Sequence, residues 1–114
     1  MNIQETDEYR KDLKKLTKRF KTLPEDIETL KKVIAVFPDE RPPISYRVSN
    51  LGKSEVIIKV KRIACRALKN KGSNTGLRLI YSYQEETDEI IFIELYFKGD
   101  KENEDRERIR RLFF

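Results

Sequence analysis

Histidine and tryptophan are absent from this chain of 114 residues, and cysteine occurs once, at Cys65. Each absence removes a class of chemistry. Without histidine, no paired-histidine ribonuclease mechanism operates, and the serine and cysteine triads that use an imidazole base are excluded. A lone cysteine closes no internal disulfide, and the usual zinc set of cysteines and histidines does not assemble around it; a reducing compartment is the expectation. Gly72 and Gly76 fit no phosphate-loop spacing. No apolar run approaches the roughly 18 residues of a membrane span, and the opening MNIQETDEYRKDL holds no long apolar stretch of the kind a secretory signal needs. A soluble cytoplasmic protein with no membrane partner is expected.

What is present is charge and periodicity. Charged residues make up 39% of the chain and hydrophobic ones 38%, but the apolar residues are clustered rather than diluted, which marks a folded chain. Its length suits a single domain over 1–114, burying about two-thirds of the surface of the unfolded chain. The net charge of +5 is unevenly placed: residues 51–78 carry eight basic side chains against one acidic, and residues 79–114 carry six against ten. A cationic strand-and-loop segment is expected to attract phosphates, a solvated lysine-rich surface being the plainer alternative.

The elements follow from spacing. NIQET is a candidate first strand, and Thr6 a helix N-cap with Asp7 and Glu8 in the favoured first turn. Tyr9, Leu13, Leu16 and Phe20 make one amphipathic stripe; Ile27, Leu30, Ile34 and Phe37 make a second, after a capping-box pattern at Thr22 and Glu25. Helices so closely joined form an antiparallel hairpin. The proline-bearing residues 38–54 predict a loop or at most an edge strand. EVIIKVKRIACRAL, GLRLIYSYQ and EIIFIELYFK predict three strands, and the tail a helix laced by the pairs Glu102–Arg106, Glu104–Arg108 and Glu107–Arg111, its Leu112, Phe113 and Phe114 needing a surface to cover. The fold class is therefore α+β: an N-terminal helical hairpin on a small antiparallel sheet, with a C-terminal helix.

Alternation assigns the strand faces. Val56, Ile58 and Val60, then Leu77, Leu79, Tyr81 and Tyr83, then Ile91, Ile93, Leu95 and Phe97 form apolar rows for the hairpin to cover. Lys59, Lys61, Arg78, Glu94, Tyr96 and Lys98 then emerge on the other face. Uncovered sheet faces are often merely polar, but five of these six are basic or phenolic, which suits phosphate contact and base stacking.

With no histidine, and with Glu94 as the one carboxylate on that face, the chemistry left open is metal-free RNA cleavage without a cofactor. Lysines crowded among cations lose protons more readily, so Lys59 or Lys61 is a candidate base. Arg78 offers a fork of donors to phosphate oxygens. Lys98 or Lys101 would stabilise or protonate the leaving oxygen, and Tyr96 would stack on a base or donate its hydroxyl. Arg62, Arg66, Lys69, Lys71 and Lys101 are further candidates for RNA contact.

YRKDLKKLTKRF, TLPEDIETL, IIKVKRIACRALKNKG, TGLRLIYSY and IIFIELYFKGDKENED together resemble the RelE/ParE superfamily of bacterial toxins over nearly the whole chain. The resemblance implies the toxin of a type II toxin–antitoxin module. RelE-like members enter the ribosomal A site and cut messenger RNA without metal, leaving a 2′,3′-cyclic phosphate, and an antitoxin wraps and silences them. Expected partners are thus an antitoxin, the ribosome and messenger RNA. By the family's pattern, Lys59 and Lys61 stand near its lysine pair, with Arg62 and Lys71 as rivals. Arg78 in GLRLIY stands at its arginine. Lys98 or Lys101 stands near a late basic position that is arginine in the family, and Tyr96 precedes that position where the family's tyrosine follows it. ParE-like members, which poison DNA gyrase and cleave nothing, stay open as an alternative, as does an inactive RNA- or antitoxin-binding homologue.

Overall fold

The computed structural model describes residues 2–49 and 55–113. In chain order they form β1 (Asn2–Glu5), α1 (Asp7–Thr17), α2 (Leu23–Val36), β2 (Ser45–Arg47), β3 (Val56–Val60), a 3-10 segment (Arg66–Lys71), β4 (Leu77–Gln84), β5 (Glu89–Phe97) and α3 (Arg106–Phe113). The sheet order is β1-β5-β4-β3-β2. The expected α+β arrangement is present, with one addition: β1 joins the antiparallel set as a parallel edge strand along β5. No helix among the described residues is long and apolar enough to cross a membrane.

Thr6 starts α1 as its residue type dictates, its hydroxyl accepting a hydrogen bond from the Tyr9 N–H at 3.1 Å. The same hydroxyl donates to the Phe92 carbonyl at 3.0 Å, which fastens the helix start to β5. The capping box expected at Thr22 does not form. Thr22 already has helical backbone angles, so its hydroxyl turns away, donating to Asp26 at 2.8 Å and accepting from the Ala67 N–H at 2.9 Å. That pair anchors the 3-10 segment, and the strand expected over 55–68 therefore ends at Val60.

The hairpin buries Tyr9, Leu16, Phe20, Leu23, Ile27 and Ile34 against Ile58, Val60, Leu77, Leu79 and Tyr81. Phe37, expected in this stripe, is half exposed because α2 ends at Val36 and Phe37 leaves helical geometry; the Arg41 guanidinium lies 4.0 Å above its ring. In the proline-bearing stretch Ser45–Arg47 forms the edge strand β2, while residues 50–54 lie outside the described residues.

The faces of β5 depart from strict alternation. Ile80 of β4 pairs with Glu94 and Tyr81 with Phe92, so Ile93 is an extra residue, a β-bulge. Before it, Ile90 and Phe92 face the hairpin; after it, Leu95 and Phe97 do. Ile93 falls on the opposite face, and Ile91, paired with Ser82, is only half buried. One inserted residue reverses the parity of every position before it. The expected row Ile91, Ile93, Leu95 and Phe97 is thus correct only in its second half.

The second face is not open either. Ile109 of α3 is buried there against Ile57, Ile80, Ile93 and Tyr96, with Val48 and Phe113 at the margin. The helix starts at Arg106 because the Asp105 carboxylate accepts the Arg108 N–H at 3.1 Å. This start leaves Glu102 and Glu104 outside the helix and removes two of the three expected helical pairs. Arg108 instead reaches Asp12 at 2.6 Å and Glu8 at 3.1 Å, and Arg111 reaches Glu8 at 3.6 Å rather than Glu107. Phe114 lies outside the described residues.

Candidate nucleic-acid interface

Lys59 lies in β3, and Lys61 one residue past its end; both line the same cavity. Arg78 stands on β4 and Lys98 just beyond β5. The β4–β5 pairing brings the last two together and runs on to Gly76, whose carbonyl accepts the Lys98 N–H at 2.7 Å; the φ of Gly76 is +86°, and a Cβ there would meet Phe97 at 3.1 Å. Lys59, Lys61, Arg78 and Lys98 line one open cavity of about 180 Å³, with Glu102 and Asn103 from the β5–α3 connection also in its wall.

Within the cavity the cations differ. The Arg78 guanidinium is held by one nitrogen, Nη1, which donates to the carbonyls of Lys61 at 2.8 Å and Leu77 at 3.2 Å. Its other donors carry no protein partner among the described residues, the arrangement a phosphate needs. The Lys61 ammonium lies 5.0 Å from the Tyr46 ring centroid and makes no ion pair among the described residues. Lys98 is exposed.

Lys59 is the exception. Its ammonium contacts Glu104 at 2.9 Å, with 13% and 5% of the two side chains exposed. Burial disfavours the ammonium, but the Glu104 carboxylate, with the Tyr96 hydroxyl nearby, outweighs it and holds the Lys59 pKa above the ordinary lysine value. The expectation of a lysine base with a lowered pKa is therefore corrected at this position: a neighbouring anion replaces the cations that would have stripped its proton.

Tyr96 and Lys101 lie beside the cavity and not in it. Tyr96 is 5% exposed, packed under α3, with Lys101 5.2 Å from its ring centroid on one flank. A base has no access to the ring, which corrects the stacking role expected of it. Burial raises its pKa, against a smaller opposing pull from Lys59. Lys101 is paired with the buried Glu94, whose other oxygen accepts the Asp105 N–H at 2.8 Å.

The remaining cations are elsewhere. Arg66 is engaged by Glu25 and Asp26 of α2. Arg62 and Arg66 line a larger, mostly apolar groove of about 690 Å³ with Leu30, Val33, Ile44 and Ile63. Lys69 and Lys71 are exposed on the 3-10 segment. Sequence reasoning did not single out Tyr46, which lies in the proline-bearing stretch expected to be a loop or at most an edge strand, and it assigned Glu104 to a helical pair. The alternation of β2 against β3 held the signal for Tyr46.

Among the described residues no group of three cysteine, aspartate or glutamate side chains is placed to hold a metal ion. The cavity can grip an anion between the Arg78 guanidinium and the Lys61 and Lys98 ammonium groups, which make no ion pair among the described residues; the Glu102 carboxylate shares its wall, and the Tyr46 ring lies 5.0 Å from Lys61.

No protein-family model matches the chain, and no curated protein matches it. Among solved structures it is similar to a metal-bound toxin from Helicobacter pylori, with a TM-score of 0.51, 17% identity, and 89% of this chain and 98% of that one covered. A copper-bound mutant toxin from the same organism aligns with a TM-score of 0.49 at the same identity and coverage. At such identity the first likeness speaks for a shared fold.

Proposed function

We propose that this chain is the toxin of a type II toxin–antitoxin module, a RelE-like endoribonuclease that cuts messenger RNA in the ribosomal A site and is silenced by a cognate antitoxin. The observation that carries this reading is the convergence of Lys59, Lys61, Arg78 and Lys98 on one cavity. The resemblance of the sequence to the RelE/ParE superfamily and the toxin-like fold support it.

The roles follow from the partners of each group. Arg78 grips the non-bridging phosphate oxygens, where charge grows as the phosphorus becomes pentacoordinate. Lys61, an ammonium when the RNA binds, gives a proton to water and then takes the proton of the 2′-hydroxyl as that oxygen attacks phosphorus. The bond from phosphorus to the 5′-oxygen breaks, and the Lys98 ammonium gives that oxygen a proton, leaving a 2′,3′-cyclic phosphate. Lys59, held charged and in place by Glu104, forms with it a pair of no net charge in the cavity wall and takes no part in proton transfer. Lys101 is occupied by Glu94, which leaves Lys98 as the acid. The Helicobacter toxin is described as metal-bound; the described side chains here offer no fitting ligand set, and every step is assigned to the chain itself.

The test is expression in bacteria with simultaneous mapping of RNA ends and plasmid topology. Breaks inside translated codons ending in cyclic phosphate are expected. Altered supercoiling with intact messenger RNA would replace the nuclease by a ParE-like gyrase poison.

A further inference from the structure

We propose that Tyr46, together with Lys61, forms a nucleobase-stacking subsite that holds the base of the nucleotide next to the phosphate in the Arg78 cavity. The inference rests on the reading of that cavity as an RNA site and adds where its specificity for single-stranded nucleic acid resides.

Three observations place the subsite. Tyr46 pairs directly across from Lys59 in the antiparallel β2–β3 ladder, so the two side chains leave the same face of the sheet. The Lys61 ammonium, one of the cavity's cations, lies 5.0 Å from the centre of the Tyr46 ring. The phenol therefore stands next to a cation of the cavity wall, close enough for the base of a nucleotide whose phosphate is bound there. Its ring is only half buried, whereas Tyr96, the other tyrosine on this face, is packed away beneath α3.

The strand carrying Tyr46 is built to hold it still. β2 is the outermost strand among the described residues, so no further strand of the described sheet lies beyond it. Its next residue, Arg47, is clamped by Asp39 through two bonds of 2.6 and 3.0 Å, and its first, Ser45, accepts the Arg41 N–H at 2.9 Å. A rigid aromatic ring flanked by a cation is what base stacking against single strands uses: the ring takes the π-face of any base, and the ammonium neutralises the adjoining phosphate. Lys61 thus serves both groups of one nucleotide.

The test measures binding of two labelled RNA oligomers of ten nucleotides, one carrying bases throughout and one with several consecutive abasic positions, to the wild-type protein and to Tyr46→Leu, Tyr46→Phe and Arg78→Ala. Tyr46→Leu is expected to weaken the base-bearing oligomer about tenfold and to leave the abasic one unchanged, while Tyr46→Phe retains wild-type affinity for both. Arg78→Ala is expected to weaken both oligomers. Equal loss on the two oligomers in Tyr46→Leu, or no loss on either, overturns the subsite. If Arg78→Ala still weakens both, the cavity survives as the phosphate site and only the role of Tyr46 falls; if Arg78→Ala changes neither, the RNA reading of the cavity falls with it.

Discussion

The Lys59 ammonium meets the Glu104 carboxylate at 2.9 Å in a place nearly closed to water. The cationic face thus carries its own counter-charge, delivered by the connection between β5 and α3. Glu104 is shifted below the usual carboxylate range: burial works against the anion, but the hydrogen bond and charge of Lys59, with Arg106 beyond, prevail.

This pair sets a pH window for stability. The Glu104 contribution is present above its unfolded pKa of about 4.3 and is lost as pH falls through the lower folded value. The Lys59 contribution is present below about 10.4 and is lost as pH rises through its raised folded value. Glu104→Gln is expected to cost about 2 kcal/mol at neutral pH. Urea unfolding at several pH values should show that difference shrinking in strong acid and strong base; a constant difference would mean the pair does not contribute as a charge pair.

Arg78→Ala combined with Lys61→Ala should relieve growth arrest in bacteria while leaving the circular dichroism spectrum unchanged, because neither side chain enters a core cluster. Persistent toxicity from the folded double variant would remove the cavity from the mechanism. In binding assays, Arg78→Ala should also flatten the slope of log affinity against log salt by about 0.7 on single-stranded RNA.

Leu95→Asp should abolish cooperative unfolding, since Leu95 is 2% exposed under the hairpin. Ile91→Asp should instead yield a soluble protein that still melts cooperatively, because the bulge at Ile93 turns Ile91 to the half-buried side. Thermal denaturation of the two variants decides the strand's faces; identical failure would mean that the bulge is misplaced.

Tyr96→Phe should leave the melting temperature unchanged or slightly raise it. The Tyr96 hydroxyl is buried without a well-aligned hydrogen-bond partner, and removing such a group relieves a desolvation cost. If Lys98 and not Tyr96 supplies the leaving-group proton, cleavage of ribosome-bound messenger RNA persists in Tyr96→Phe; a loss of a hundredfold or more, in the range of general acid catalysis, would return the acid role to Tyr96.

Much of the fold was legible because it is local. The Thr6 cap, the stripes Tyr9–Leu16 and Ile27–Ile34, and the rows Ile58–Val60 and Leu77–Leu79–Tyr81 depend on residue type and spacing, and all stand in the structure. The convergence of four cations was also legible in outline, since Lys59, Lys61, Arg78 and Lys98 share a face through simple alternation. Their partners were not. Arg108 binds Asp12 across the molecule rather than a helical neighbour four residues away, and Asp12 also accepts the Leu95 N–H at 3.0 Å beside the bulge.

By itself the order of residues determined the hairpin, the main strands and which side of the sheet would be cationic, because helical and strand periods are set by backbone geometry over a few neighbours. Only the tertiary structure decided that Ile93 is an extra residue, that α3 covers half of the second face, that Glu104 neutralises Lys59, and that Tyr46 rather than Tyr96 offers its ring to the outside. Each of these depends on how far-apart segments share space and charge, and strand or helix period alone carries no information about that.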